Sequence, residues 1–265
     1  MTTTMPTTSS KAIRQASDIG EELPRVPEIH SLHTGGVRFR RGQFVMIAAV
    51  PNAGKSSFAS WLAAKMLVPT LYFSADQDPW TAMSRFIAAQ TGTPAWKVVQ
   101  DGFDQYSHLL PPEGVNWVWD PSPTIETIDL EVDAYVEMWD SWPHLIVVDN
   151  LLNVEGSGEF QDDQYIAQWL HGLAYRTNAC VLVLAHASEA TTKDTAWPPR
   201  RKDIINKLSK LQPMILTVAN DEEEGVFRVA LVKSREVKSD PNAKHPWTLS
   251  VDMASCTFRE RSSGW

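Results

Sequence analysis

Cysteine is nearly absent from this chain: Cys180 and Cys256 are its only two among 265 residues. Cys180 sits within the apolar run NACVLVLAH, so both read as reduced, buried thiols, and two cysteines so far apart assemble no zinc site by themselves. Long hydrophobic stretches are missing as well. No run of about 18 apolar residues occurs, and the opening MTTTMPTTSSK lacks the apolar core of a secretory signal. The expectation is therefore a soluble, cytoplasmic protein with no membrane partner. A third shortage is positive charge: 24 basic against 32 acidic residues leave a net charge of −8. That excess opposes phosphate-backbone binding by the surface as a whole, though not by a local patch. No helix-turn-helix or zinc-finger spacing is present, which leaves no basis for sequence-specific readout. What remains is an ordinary globular composition, 43% hydrophobic and 21% charged, enough for one large core and incompatible with a wholly disordered or collagen-like chain.

Residues 1 to 25 are rich in Thr and Ser without apolar periodicity and read as a flexible tail, with a folded domain over 26–265. Within that domain, short apolar runs alternate with helical patterns. QFVMIAAV (43–50), TLYFSA (70–75), VNWVW (115–119), HLIVVD (144–149) and CVLVLAH (180–186) read as strands. Helices are predicted over 55–66, from Pro79 to about Gln90, and near 124–139 and 162–176. This rhythm implies a mostly parallel sheet flanked by helices on both faces. PMILTVA (213–219), VFRVALVKS (226–234) and WTLSV (247–251) follow with little helix between them, two of them joined by the acidic turn NDEEEG. They read as antiparallel strands that extend the sheet at its C-terminal end.

The stretch AVPNAGKSS, Ala49 to Ser57, falls between a predicted strand and a predicted helix, the context of a phosphate-binding loop. Ala49, Pro51, Asn52, Ala53, Gly54, Lys55, Ser56 and Ser57 would form the cradle for ATP: backbone N–H groups wrap the β-phosphate, Lys55 reaches the β/γ oxygens, and the Ser56 hydroxyl ligates Mg²⁺. Gly54 keeps the approach to the phosphate free of a side chain. The plainer alternative is a GKS turn that only caps a helix. Hydrolysis further needs a carboxylate in the Mg²⁺ shell and one to orient the attacking water. Asp149, ending an apolar strand 94 residues after Lys55, suits the first role. Asp76, in LYFSADQDPW, is the candidate for the second; Asp78 competes with it, and both could merely cap the helix at Pro79. Thr81 and Arg85 read as packing and helix-surface residues. In ALVKSREVK, Lys233 and Arg235 alternate along a strand and so project to one face, as an anion-binding pair or as a solvated strand end.

With Ala where the usual loop begins with Gly, AVPNAGKS resembles the A-x-P-x-x-G-K-[ST] loop of the DnaB-family hexameric replicative helicases. LHTGGVRFRRGQFVMIAA is similar to that family's lead into its first core strand, and the likeness runs over roughly residues 30 to 260. It implies a RecA-like P-loop NTPase core, and, lacking a counterpart of the primase-binding domain, a small phage- or plasmid-type relative. The family's second core strand ends in S-L-E; S-A-D here shortens the carboxylate's reach by roughly 1.5 Å. The resemblance further implies that His186 senses the γ-phosphate and moves the adjacent DNA-binding loop. It also implies that Lys233 and Arg235 act as sensor and arginine finger in a neighbouring subunit's site, within a hexameric ring or a filament.

In RecA-like ATPases the loops after the two central strands face the DNA channel. Here the first, NVEGSGEFQDD, is acidic. The second carries Lys193, Arg200, Arg201, Lys202, Lys207 and Lys210 against Asp194 and Asp203, a local net of +4, with Trp197 available to stack on a base. The leading functional expectation is an ATP-driven helicase motor on single-stranded DNA in replication or recombination. The alternatives are a branched-DNA processing protein, nucleolytic through Asp76 and Asp78 or Asp162 and Asp163, and a slowly hydrolysing ATP-dependent adaptor or loader.

Overall fold

The computed structural model describes residues 20–109, 115–156, 163–190, 192, 194–205 and 212–261. Nine strands of the described residues form one sheet: β1 (Phe44–Ala49), β2 (Thr70–Ser74), β3 (Val115–Val118), β4 (Leu145–Asp149), β5 (Cys180–His186), β6 (Met214–Asp221), β7 (Val226–Ser234), β8 (Trp247–Asp252) and β9 (Thr257–Glu260). Their spatial order is β3-β2-β4-β5-β1-β6-β7-β8-β9. The β3 to β6 portion is parallel, and β6 to β9 is antiparallel. Strands buried on both faces carry apolar side chains at every position. In β1, Val45, Ile47 and Ala49 enter one core, and Phe44, Met46 and Ala48 the other.

Six α-helices accompany the sheet among the described residues: α1 (His30–Thr34), α2 (Lys55–Met66), α3 (Pro79–Thr91), α4 (Ala95–Asp101), α5 (Ile125–Trp139) and α6 (Asp163–Thr177). On one face lie α2 and α3, through Phe58, Trp61, Leu62, Phe86 and Ala89. On the other lie α5 and α6, through Ile128, Val132, Tyr135, Ile166, Leu170 and Leu173. Helix α2 is buried almost all round, because the C-terminal strands close over it: Phe58 meets Phe227 and Phe258, each at 5.1 Å between ring centroids.

The expected strands and long helices are all present within a residue or two. Strand β9 and the short helices α1 and α4 are additions. At the amino end, residues 20–25 belong to the fold and not to a tail. The Leu23 N–H donates to the Phe39 carbonyl at 2.8 Å, that of Gly20 to the Arg41 carbonyl at 2.9 Å, and the Leu23 side chain is buried. Both cysteines are buried free thiols. Among the described residues no helix is long and apolar enough to cross a membrane.

Candidate nucleotide-binding site

The carboxyl ends of β2, β4, β5 and β1 are adjacent along the sheet. Ser74 is paired with Asp149 and Ala49 with His186, and β4 meets β5 through Val148 and Val183. The segments that carry Asp76, Asp149, His186 and the phosphate loop therefore leave one edge of the sheet as a stepped row, with Ala49 and His186 two positions beyond Ser74 and Asp149. In open α/β sheets this crevice is where ligands bind. The loop leaves β1 after Ala49, passes through Asn52 at φ +61° and Gly54 at φ +78°, and enters α2 at Lys55. Gly54 is required for a reason beyond the expected one. A Cβ there would lie 3.2 Å from Met253 Cε and 3.3 Å from Phe227 Cε2, so the loop is pressed onto the C-terminal strands as well as open to a phosphate. Lys55 is largely buried at the amino end of α2.

Asp149 is 1% exposed and still finds three donors. Ser56 Oγ donates to its Oδ1 at 3.0 Å; Gln77 Nε2 at 3.2 Å and the Tyr72 hydroxyl at 3.4 Å donate to its Oδ2. Burial pushes its carboxyl above the ordinary carboxylate range, against the pull of Ser56 and Lys55. Burial and the neighbouring Asp149 likewise push the Tyr72 phenol well above 10. The Ser56–Asp149 pair fits Mg²⁺ in its donor chemistry: one hydroxyl and one carboxylate oxygen, both hard ligands, side by side at the phosphate loop. Mg²⁺ is commonly held by one or two carboxylates together with substrate phosphates and water. No group of three or more His, Cys, Asp or Glu that could form an all-protein cage occurs among the described residues.

The two acids before α3 separate clearly. Asp78 is the helix cap, its carboxylate accepting from Thr81 N at 3.0 Å and Thr81 Oγ1 at 2.7 Å, and those bonds hold it below the usual carboxylate range. Thr81 is thus a capping partner. Asp76 stays exposed at the mouth of the row and accepts from Asn150 Nδ2. His186 is half-buried, and its Nδ1 has no hydrogen-bond partner among the described residues. Burial, then the Lys55 charge, lower its pKa and favour the neutral ring. Arg85 is not a bare surface residue: its Nη1 donates to Gln77 Oε1 at 3.0 Å. Sequence reasoning missed Gln77, Asn150 and Tyr72, although Gln77 directly follows Asp76 and Asn150 directly follows Asp149.

Lys233 and Arg235 lie elsewhere. Lys233 pairs with Ile215, and Ile215 with Met46 near the start of β1, so Lys233 is set back about 10 Å along the strands from where the phosphate loop begins. Strand β7 ends at Ser234, and Arg235 lies just beyond it, exposed. Arg201 joins this group. Burial, then the charges of Arg201 and Arg235, bring the Lys233 pKa down to about 8. The backbone explains the meeting, because Arg201 N bonds the Pro241 carbonyl at 2.9 Å and Asp240 N bonds that of Leu231 at 2.8 Å.

In the basic segment, Lys193, Lys207 and Lys210 lie outside the described residues, as does Asp162. Trp197 is occupied: its Nε1 donates to the Ala243 carbonyl at 2.7 Å, and the Arg228 guanidinium covers one ring face at 5.1 Å. Arg228 in turn grips Asp221 at 2.7 Å, Glu224 at 2.6 Å and the Ala196 carbonyl at 2.9 Å, fastening the acidic β6–β7 turn to this loop. Arg200 forks onto the buried Asp203 at 2.7 and 3.1 Å, while Lys202 points to solvent. A cavity of about 600 Å³ beside Pro51–Ala53 has Asp194, Asp221, Glu222 and Glu223 in its wall.

Comparison with known proteins places the chain in a family. The Gene 65 protein of Mycobacterium phage L5 is 32% identical over 252 residues, covering 90% of each chain. The chain belongs to the Gene 65 protein family. A second member, from Mycobacterium phage D29, is 31% identical over 216 residues, 75% of this chain and 90% of that one. No family model matches the chain. Among solved structures, the Gene 65 fold is shared by a DnaB-like replicative helicase described with its interactions with primase, at TM-score 0.77 and 16% identity over 96% of this chain and 67% of that one. A second solved structure, of an ATPase domain, matches at TM-score 0.77 and 15% identity, over 96% of this chain and 97% of that one. The architecture is therefore the RecA-like core of DnaB-like helicase ATPase domains, as its sequence motifs led us to expect.

Proposed function

We propose that this Gene 65 protein is an ATP-hydrolysing, DnaB-like motor that works on single-stranded DNA as a head-to-tail homo-oligomer. The observation that carries the reading is the division of its cationic groups between the two ends of the sheet. Lys55 serves the phosphate loop at one end, and Lys233 and Arg235 stand towards the other. A pair set back in this way is suited to a neighbour's triphosphate. Two complementary surfaces at opposite ends of one chain make a heterologous contact, which closes into a ring or runs on as a filament. Bound ATP supplies the scissile phosphoanhydride, and Ser56 and Asp149 would hold Mg²⁺, which would offset the phosphate charge. Lys55 then holds the β/γ oxygens, Asp76 orients water, His186 reads the terminal phosphate, and Arg235 from the next subunit stabilises the developing charge. DNA would be met by the exposed Lys202 and, in part, Arg201. Arg200 and Trp197, engaged with Asp203, Arg228 and Ala243, support the loop that presents them.

The test is complementation between inactive subunits. Lys55→Ala and Arg235→Ala should each lose DNA-stimulated ATPase, roughly a thousandfold for a missing finger. An equal mixture of the two should recover about a quarter of wild-type turnover, since one interface in four joins an intact site to an intact finger. No recovery, or an Arg235→Ala protein of normal activity, sinks the shared-site reading. A second reading, a slowly hydrolysing ATP-dependent adaptor, draws on Asp76, whose short carboxylate is already engaged by Asn150. Slow turnover indifferent to DNA would favour it.

A further inference from the structure

Gln77 and Arg85 are polar groups at the site to which the nucleotide chemistry gives no task. Their geometry is specific. Gln77 Nε2 lies 3.2 Å from Asp149 Oδ2, and Arg85 Nη1 lies 3.0 Å from Gln77 Oε1. A carboxamide can turn either end towards a neighbour, but a guanidinium carries donors only. Arg85 therefore claims the carbonyl oxygen of Gln77 and leaves the NH₂ as the end that faces Asp149. With the amide reversed, its oxygen would face a carboxylate oxygen and the NH₂ would face a cation.

The base of the relay is firm. Arg85 projects from α3, whose first turn is closed by the Asp78–Thr81 cap, and the packed Phe86 follows it in the chain. The second donor to Oδ2, the Tyr72 hydroxyl, is longer at 3.4 Å and sits on a ring stacked against Trp117 at 4.2 Å. Among the described residues Oδ1, by contrast, accepts a hydrogen bond only from the Ser56 hydroxyl, the other expected ligand of the divalent ion.

We infer that Gln77 and Arg85 are positioning residues that fix Oδ2 of Asp149 and so reserve Oδ1, beside Ser56, for the divalent cation. The inference rests on the nucleotide-site reading above and adds to it the pair that orients the metal carboxylate. A charge-assisted hydrogen bond to a buried carboxylate is worth about a tenfold change in affinity.

The experiment measures the Mg²⁺ concentration that half-saturates binding of a fluorescent ADP analogue to the full chain. Nucleotide binding in EDTA and the thermal midpoint are recorded on the same samples. Gln77→Leu and Arg85→Leu should each raise the Mg²⁺ half-saturation about tenfold with binding in EDTA unchanged. Arg85→Lys, which still donates to Gln77 Oε1, should recover most of that loss. Gln77→Glu, which keeps a partner for Arg85 but offers Asp149 only acceptors, should be at least as weak as Gln77→Leu. The relay is overturned if the two Leu variants keep the wild-type Mg²⁺ dependence, if their binding in EDTA falls in parallel, or if Arg85→Lys is no better than Arg85→Leu. Wild-type binding that ignores both Mg²⁺ and Lys55→Ala would overturn the nucleotide site itself, a result separable from failure of the relay alone.

Discussion

Gly54→Ala tests how the phosphate loop is seated. Two effects add at this position. The left-handed φ of +78° costs an L-residue about 1–2 kcal/mol. The new Cβ would also press on Met253 Cε at 3.2 Å and Phe227 Cε2 at 3.3 Å, and overpacking of that kind costs about 1–3 kcal/mol. Gly92, which ends α3 at φ +73° with nothing within 4 Å of its Cβ position, supplies the control for strain alone. Unfolding by urea without nucleotide should therefore show Gly92→Ala losing about 1–2 kcal/mol and Gly54→Ala about 2–5 kcal/mol. In a chain of this size each kcal/mol lowers the thermal midpoint by roughly 2–4 °C. Met253→Ala should relieve part of the contact, so the double variant Gly54→Ala/Met253→Ala should be about 1 kcal/mol more stable than the two single losses predict. Equal losses at Gly54 and Gly92, with no coupling to Met253, would refute the claim that the C-terminal strands seat this loop.

His33 joins two backbone groups in the core, accepting from Val26 N at 3.0 Å through Nε2 and bonding the Val37 carbonyl at 2.9 Å through Nδ1, a pairing that needs the neutral ring. Burial holds its pKa below the ordinary 6.5, so the unfolded chain binds more protons just under that value. The stability this group contributes is complete above pH 6.5 and is lost as the pH falls towards its folded pKa, which urea midpoints against pH will reveal; a midpoint that rises on acidification would reverse the sign. Lys233 should acylate with a midpoint near pH 8, and Arg235→Ala should move that midpoint upward by removing a like charge; labelling of Lys233 followed by mass spectrometry measures both. Lys202→Ala should weaken single-stranded DNA binding and reduce its salt slope by about one without altering stability. Arg200→Ala should instead lower the thermal midpoint, because Asp203 would remain buried without its fork.

The sheet was legible because its central strands are buried on both faces, which leaves short continuous apolar runs that no other local structure explains. Asp149 was legible for the same reason, as a charge that ends such a run beyond a phosphate-loop pattern. Short elements such as α4 and β9 carry too few residues for a period to register. The contacts around Asp149 were opaque for a different reason. Gln77 and Tyr72 reach it across more than 70 positions of chain, and only the β2–β4 pairing brings them together. Trp197 shows a contact that the sequence did not reveal. Its place among cations suggests an open stacking platform, but Arg228, from a strand 31 positions away, covers one of its faces. The fork of Arg200 onto Asp203 could have been anticipated, because three positions apart in a tight turn brings such a pair into reach.

Charge gives the remaining link between sequence and assembly. Residues 1–190 hold 11 basic and 22 acidic groups, and residues 191–265 hold 13 and 10. Along the sheet the charges are sorted differently, because Asp194, Glu222 and Glu223 from the basic part of the chain fold back beside the phosphate loop. Around the phosphate loop stand Asp76, Asp149 and the acidic wall of Asp194, Glu222 and Glu223, while Arg201, Lys233 and Arg235 gather where β7 ends. Two chains meeting by a twofold axis at either end would set like charges against each other. A head-to-tail contact sets opposite charges together and brings cations to a site whose own polar groups, apart from Lys55, are mainly acidic. On the proposed reading, the same polarity would confine a polyanion such as DNA to the basic segment, so one subunit would offer it only a weak foothold. If the proposed motor reading holds, strong binding would require several subunits acting together, and both assembly and DNA binding would be sensitive to salt.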